Sequence, residues 1–220
     1  MVTSSPAGTT RPSRGRRVPR ASGEDRERAI LQTAERLLAE RALHEISVDD
    51  LARGAGISRP TFYFYFASKE AVLLTLMDDL VEQARRGVAL ALLSSDPAGV
   101  LRRGLGSILE TFREHRAVTL AAADARAGSA EVRELWARVM EAFVQETTAA
   151  IEGERARGAA PPGAPARDLA IALNRMNERV LQATFEEEGP AIAESAILDT
   201  LVEVWLRSIY GGTDPPRAAH

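Results

Sequence analysis

The sequence predicts an all-α protein, and two observations point to that fold class. Apolar residues recur at the spacing of a helix, as in the long pattern Val132, Leu135, Trp136, Val139, Met140 and Phe143. No two neighbouring segments alternate as a pair of strands would, so nothing predicts a sheet. The 220 residues, 45% apolar and 27% charged, allow a sizeable core in one or two domains.

The aromatic run at residues 62–66 holds five of the 11 aromatic residues of the chain. Such a run is typical of a strand, but a lone strand without a partner is unstable. As a short helix, it would have Ser58 as its N-cap and Pro60 in its first turn. Phe62 and Phe66 would then share one buried face. The remaining surface could be ordinary helix packing, but its Arg and tyrosines favour contact with a partner.

The charge is divided unevenly along the chain. Residues 1–70 carry 12 basic and 9 acidic side chains, whereas residues 71–220 carry 16 and 22. Residues 1–20 contain five arginines and no acid. A basic end on an acidic body favours a polyanion as the partner. Residues 1–23 form either a solvated tail or an arm that folds onto DNA, and both readings stay open.

The first helices form a recognisable unit. A helix is predicted over residues 25–41, and Ser47 with its following acids caps a second helix that ends near residue 53. Residues 54–56 (Gly-Ala-Gly) break that helix, and Gly56 can supply the positive φ of a tight turn. The aromatic helix from Ser58 follows. Two short helices joined by a tight turn, with a longer helix ahead, are the helix-turn-helix pattern.

The rest of the chain predicts a larger helical body, for about nine helices in all. Domain boundaries are predicted for a basic arm (1–23), a DNA-binding unit (24–67), a helical ligand-binding and dimerisation domain (68–212) and a tail (213–220). Residues 158–165, rich in Gly and Pro, are a predicted surface loop. The remaining predicted helices cover residues 68–93, 101–115, 118–125, 132–151 and beyond, 167–186 and 194–210.

The N-terminal motif resembles the TetR family of transcriptional regulators. The resemblance is carried by Ser-Val-Asp-Asp-Leu-Ala (47–52), Gly-Ala-Gly-Ile-Ser (54–58), Thr-Phe-Tyr-Phe-Tyr-Phe (61–66) and Ser-Lys-Glu (68–70). Similarity to one repressor branch of that family extends over residues 11–211, through Asn-Arg-Met-Asn-Glu-Arg (174–179), Leu-Asp-Thr-Leu-Val (198–202) and Ser-Ile-Tyr-Gly (208–211). It implies a dimeric, ligand-responsive repressor of a palindromic operator, with a monooxygenase gene among its targets.

The resemblance also implies which residues meet DNA. The second helix of the motif would lie in the major groove, with Tyr65 and Lys69 on phosphates. Arg suits guanine edges, Thr and aromatic carbon suit the thymine methyl, and Tyr and Lys suit phosphate oxygens. The predicted DNA-binding residues are Ser58, Arg59, Pro60, Thr61, Tyr63, Phe64, Tyr65 and Lys69.

A ligand site is predicted in the larger domain. Large apolar residues on successive helices would by default form a plain core, but the family resemblance implies an elongated apolar cavity. Asn174 and Asn177 share a helix face with apolar residues, and buried amides need polar partners. Glu178 is either a ligand contact or a structural partner of Arg175 or Arg179. The predicted ligand-binding residues are Leu101, Leu105, Ile108, Phe112, Trp136, Met140, Phe143, Thr147, Asn174, Asn177, Glu178, Leu181 and Trp205.

The last two long helices carry wide apolar faces, and the resemblance implies that they pair with their copies in a homodimer. A dimer would set two reading helices ~34–36 Å apart on DNA. The apolar residues concerned are Ile171, Met176, Val180, Phe185, Ile197, Leu201, Val204 and Leu206.

Other classes of protein receive little support. The three histidines are scattered, and no phosphate loop, zinc-protease or nucleophile-elbow motif occurs, so neither a metal nor a cofactor is predicted. The absence of cysteine excludes disulfides. No signal peptide or membrane span is recognisable, so a cytoplasmic protein is expected. The alternatives are an architectural DNA-binding protein without ligand control and, less favoured, a small helical enzyme using Glu178 and the two asparagines.

Overall fold

The computed structural model describes residues 22–91 and 96–213 and confirms the all-α fold class. Within these residues there are nine α-helices, one short 3-10 helix (Leu43–Glu45) and no strand. Residues 1–21 of the predicted arm and residues 214–220 of the predicted tail lie outside the described residues. The α-helices are α1 (Gly23–Leu38), α2 (Val48–Gly54), α3 (Arg59–Tyr65), α4 (Lys69–Ala91), α5 (Pro97–Glu114), α6 (Arg116–Gly128), α7 (Ala130–Ala156), α8 (Ala166–Phe185) and α9 (Glu194–Tyr210).

Serine caps set the starts of the first three helices. Ser22, Ser47 and Ser58 each accept a hydrogen bond from the backbone N–H three residues on, which satisfies a donor that the helix itself leaves free. Gly56 has φ +67°, the conformation expected for the turn between α2 and α3. The helix-turn-helix unit is therefore built by local sequence signals. Residue 22 as the cap also explains why α1 begins two residues before the predicted start.

Helix α4 joins this unit to the larger domain. It buries the apolar side chains of Val72, Leu73, Leu76 and Leu80, each of which is under 10% exposed. The helix packs against α1 on one side and against α5, α6 and α7 further along. Because one rigid helix contacts both units, a movement of the larger domain can be transmitted along it.

Two helices of the larger domain are longer than predicted. Helix α5 begins at Pro97 because the Asp96 carboxylate caps it, accepting from Gly99 N, and proline suits a first helical position. The predicted helix began only at residue 101. Helix α6 extends from Arg116 to Gly128 on both sides of its apolar segment. Helices α7 and α8 pack together, and α9 packs mainly on α5.

The predicted dimer face is narrower than the sequence suggested. Phe185, Ile197, Leu201 and Leu206 are buried inside the single chain, so they belong to its own core. Ile171 is 39% exposed. Met176, Val180 and Val204 are partly buried and pack on the core. These four residues, rather than all eight, are left for contact with a second copy.

Candidate functional site

Helix α3 divides into a buried and an exposed side, as predicted. Phe62 is fully buried and Phe66 nearly so, with their ring centroids 6.0 Å apart. On the other side Phe64 is 82% exposed and Tyr63 47%. A large aromatic side chain left in water contributes no burial free energy to this fold, which favours a role in contacting a partner.

Arg59 is held in place on the exposed side of α3. Its Nη1 donates to Asp49 Oδ2 at 3.0 Å and its Nη2 to the Tyr63 hydroxyl at 3.3 Å. The guanidinium also lies 5.7 Å from the centroid of the Tyr63 ring. Both members of the Arg59–Asp49 pair are about half exposed, so the pair is weak. A phosphate or a base edge can therefore replace Asp49 at little cost.

The other predicted DNA-facing residues surround this centre. Ser58 and Pro60 are exposed, and Thr61 is partly buried, with its hydroxyl 2.8 Å from that of Ser58. The Tyr65 hydroxyl lies beside Gly23 in the first turn of α1, 3.8 Å from where a Cβ on that glycine would stand. That turn already carries the acids Glu24 and Asp25, so a phosphate contact here would depend on the Tyr65 hydroxyl rather than on α1.

The structure corrects the predicted role of Lys69 as a phosphate contact. Its Nζ donates to the carbonyl oxygens of Leu43, His44 and Ile46 at 2.7, 3.3 and 2.9 Å. The ammonium has three protons, so its donors are fully used in fastening the 3-10 helix to the start of α4. The structure therefore gives Lys69 an internal role in place of the predicted phosphate contact.

A cavity lies between α5, α6, α7 and α8. Its volume of about 70 Å³ is small, so a drug-sized ligand would have to displace lining side chains. Its walls are mostly apolar, and Phe112 meets Trp136 edge to face at a centroid distance of 6.5 Å. The lining residues are Ile108, Phe112, Thr119, Leu120, Ala123, Arg126, Trp136, Val139, Met140, Phe143, Asn174, Asn177, Glu178, Leu181 and Gln182.

The cavity includes nine of the thirteen predicted ligand-binding residues. The other four, Leu101, Leu105, Thr147 and Trp205, do not line it. Leu105 is part of the buried core, and Leu101 packs against that core. Thr147 and Trp205 lie one layer behind the wall, where each hydrogen-bonds to an asparagine that lines it. Their predicted direct contact with a ligand is therefore corrected to a supporting position.

Helix α6 contributes a face to the cavity that was not predicted from the sequence. Thr119, Leu120, Ala123 and Arg126 all line the cavity and fall at i, i+1, i+4 and i+7 of that helix. The periodicity was available in the sequence. Three of these four residues are small or polar, so they do not stand out as large apolar side chains do.

Glu178 is held by structural partners. Its Oε1 accepts from Trp136 Nε1 at 2.6 Å and from Arg126, and its Oε2 accepts from Arg175 Nη1 at 2.7 Å. Burial alone would raise the pKa of Glu178, but the hydrogen bonds from Arg175, Arg126 and Trp136 outweigh burial and lower it. Of the two partners considered from the sequence, Arg175 is correct, because Arg179 pairs with Glu188.

The two asparagines have orientations that their partners fix. Trp205 Nε1 can only donate, so Asn177 must offer it Oδ1, at 3.0 Å. The Ala170 carbonyl can only accept, so Asn174 must offer it Nδ2, at 2.9 Å. Among the described residues, Asn177 Nδ2 and Asn174 Oδ1 have no protein hydrogen-bond partner. The wall thus keeps one free donor and one free acceptor.

Two family models match the chain in sequence. Residues 30–76 match "Bacterial regulatory proteins, tetR family", and residues 101–211 match "Transcriptional regulator EthR, C-terminal domain". The chain is 55% identical to the HTH-type transcriptional regulator EthR of Mycobacterium tuberculosis over 216 residues, which covers 96% of this chain and 99% of that protein. This chain belongs to the TetR family of transcriptional regulators. The predicted family is therefore confirmed, and EthR is the branch that it resembles.

Further proteins resemble this chain in sequence or in fold. EthR of Mycolicibacterium smegmatis is 50% identical over 93% of this chain and 95% of its own length. A putative TetR-family regulator from Syntrophomonas wolfei shares the fold at a TM-score of 0.72 and 16% identity, over 86% of this chain and 97% of that one. A putative regulator from Saccharomonospora viridis, solved with choline, has a TM-score of 0.69 and 24% identity over 81% and 94%. Because this is a family of regulators, the enzyme alternative is excluded.

The described part of this TetR-family regulator contains neither a membrane-spanning helix nor a metal-binding cluster. None of its helices there is long and apolar enough to cross a membrane. In the same part of the chain no three His, Asp or Glu side chains gather as a metal site would require.

Proposed function

We propose that this TetR-family regulator is a repressor that binds a palindromic operator as a homodimer and is released by a small hydrophobic ligand. The observation that carries the proposal is the cavity between α5, α6, α7 and α8, with its mostly apolar wall and its two free amide atoms. An apolar cavity with a few polar groups is the usual form of a small-molecule site.

The operator is read by α3 in this proposal. Arg59, Tyr63 and Phe64 present a donor and aromatic carbon to the major groove, while Ser58, Pro60, Thr61 and Tyr65 flank them. A second copy, docked through α8 and α9, places its α3 about one DNA turn away. Two half-sites in opposite orientation make the operator a palindrome, and occupancy of a promoter gives repression.

A route for release runs through α6. Thr119, on the cavity wall, donates to the His115 carbonyl at 3.1 Å. The His115 ring in turn meets Glu35 of α1, so the cavity wall is two contacts from the DNA-binding unit. The α4 helix offers a second route, because it packs on both units. A ligand that favours a shifted α6 thereby favours a spacing of the reading helices that no longer fits DNA.

The likeness to EthR supports two narrower parts of the proposal. We propose a monooxygenase gene among the targets and a cytoplasmic location for the protein. An architectural DNA-binding protein remains the second candidate function. The cavity argues against it, because a protein without a ligand gains nothing from open space in its core.

A selection experiment tests the function. Duplexes bound by the protein are enriched from a random pool, and affinity for the winner is then measured at several salt concentrations. We expect a palindrome, bound at least about a thousandfold more tightly than random DNA, as is usual for specific recognition. Equal binding to random DNA would refute the repressor and favour the architectural candidate.

A further inference from the structure

The cavity wall contains one acid and one base, and they are paired with each other. Among the described lining residues only Arg126 and Glu178 are ionisable. Their side chains are 25% and 14% exposed, so neither is screened as a surface pair would be. The wall therefore presents no net charge to the cavity, although it contains a cation suited to a carboxylate.

Glu178 occupies the place beside Arg126 where a ligand carboxylate would otherwise bind. It bonds to Arg126 directly, and the Arg126 guanidinium lies 5.1 Å from the centroid of the Trp136 ring, whose Nε1 donates to the same Glu178 oxygen. Arg175 holds the other oxygen from the solvent side. Both oxygens and the planar face of Arg126 are therefore engaged, which fixes the geometry of the pair.

The bond to Glu178 uses only Nη1 of Arg126, so a ligand carboxylate would either displace Glu178 from it or take another N–H of the same guanidinium. In both cases the largely buried Glu178 would face a second negative charge, and a displaced Glu178 would also lose its hydrogen bond from Arg126. Leaving a buried charge without its partner is strongly unfavourable. An uncharged ligand meets no such penalty and can use Asn177 Nδ2 and Asn174 Oδ1.

We propose that Glu178 makes the cavity selective for uncharged ligands, because it fills from within the site that Arg126 would otherwise offer to a carboxylate. The preferred class is an apolar chain or ring with a neutral head that both accepts and donates hydrogen bonds, such as a primary amide. The inference rests on the proposed function only in taking this cavity as the ligand site.

Two probes of equal chain length test the inference, octanamide and octanoate. Binding to the full-length protein is measured by calorimetry and by tryptophan fluorescence, since Trp136 lines the cavity and Trp205 bonds to its wall residue Asn177. We expect the wild type to bind octanamide at least about tenfold more tightly than octanoate. Glu178→Gln keeps an oxygen acceptor for Trp136 but removes the charge. In that variant we expect octanoate to gain at least about tenfold.

Two further variants locate the effect. Arg126→Met combined with Glu178→Gln should lose the gained affinity for octanoate, because the cation is then absent. Glu141→Gln is the matched control: Glu141 also pairs with an arginine, Arg167, but outside the cavity, so the preference between the probes should not change.

The outcomes separate this inference from the proposed function. If the wild type binds both probes equally, or if Glu178→Gln leaves their ratio unchanged, the inference is wrong while the cavity remains a ligand site. If the wild type binds neither probe, the cavity as ligand site is refuted and the inference with it. Should Glu178→Gln fail to fold, the preference of the wild type alone decides.

Discussion

His115 Nδ1 lies 2.5 Å from Glu35 Oε1, and this contact joins the larger domain to α1 of the DNA-binding unit. The two residues are 80 positions apart in the sequence. His115 stands at the junction of α5 and α6, both of which line the cavity. The pair is thus placed to pass a movement of the cavity wall to the helices that read DNA.

Replacing Glu35 tests that route. Glu35→Gln should leave DNA affinity without ligand within about threefold but reduce the effect of a bound ligand on it, because the link to His115 is weakened. The effect is the ratio of affinities for the selected duplex with and without ligand. Glu40→Gln, just after the end of the same helix and in a local pair with Arg36, should keep the full ratio. A Glu35→Gln ratio equal to that of wild type would remove this contact from the route.

Tyr63 and Phe62 are adjacent, but substitution of Tyr63 should affect DNA affinity and substitution of Phe62 should affect stability. Tyr63→Ala should weaken binding to the selected duplex at least about tenfold, the weight of one good contact to a base edge, and leave the fold intact. Phe62→Ala empties a fully buried site and should reduce the free energy of unfolding by about 3–5 kcal/mol. Fluorescence anisotropy and urea unfolding measure the two effects. Unchanged affinity in Tyr63→Ala would take this residue off the DNA-facing surface.

Substitution of Lys69 tests whether this residue has an internal role rather than a phosphate contact. Lys69→Met should reduce the free energy of unfolding by about 1–3 kcal/mol, because three carbonyl oxygens lose their shared donor. The slope of log affinity against log salt should stay the same. A phosphate contact would instead make that slope shallower by about one unit. Arg53→Met, at an exposed arginine, should change unfolding by no more than about 0.5 kcal/mol.

Ile171 tests the dimer. It is a large apolar residue left exposed on α8, so Ile171→Glu should place a charge in the proposed interface and shift the protein toward monomer. Sedimentation velocity over a range of concentrations measures this shift. The control Ala149→Glu lies on the exposed side of α7 and should leave the assembly unchanged. A monomeric wild type would contradict the dimer outright.

The DNA-binding unit was predictable because its signals are local. Serine caps, the Gly56 turn and the period of Phe62 and Phe66 each act within a few residues, and the structure confirms them. The partner of Lys69 could not be predicted in the same way. Its three carbonyls lie 23 to 26 residues earlier in the chain, and only the packing of α4 against the 3-10 helix brings them together.

The lining of the cavity was only partly predictable, for a related reason. Helical periodicity identifies which residues face inward but not whether a neighbour fills the space in front of them. Leu105 and Phe112 share a face of α5, yet Leu105 is core and Phe112 lines the cavity. The Arg126–Glu178 pair joins residues 52 positions apart. It could not be predicted from the sequence, because it depends on the packing of α6 against α8.

The most direct test of ligand-controlled DNA binding is one titration. Anisotropy of the selected palindromic duplex is followed with the wild-type protein while octanamide is added. Tryptophan fluorescence reports occupancy of the cavity in the same samples, because both tryptophans lie in or beside its wall. We expect the affinity of the protein for the duplex to fall at least about tenfold as octanamide fills the cavity. Full occupancy of the cavity with no change in duplex affinity would contradict it.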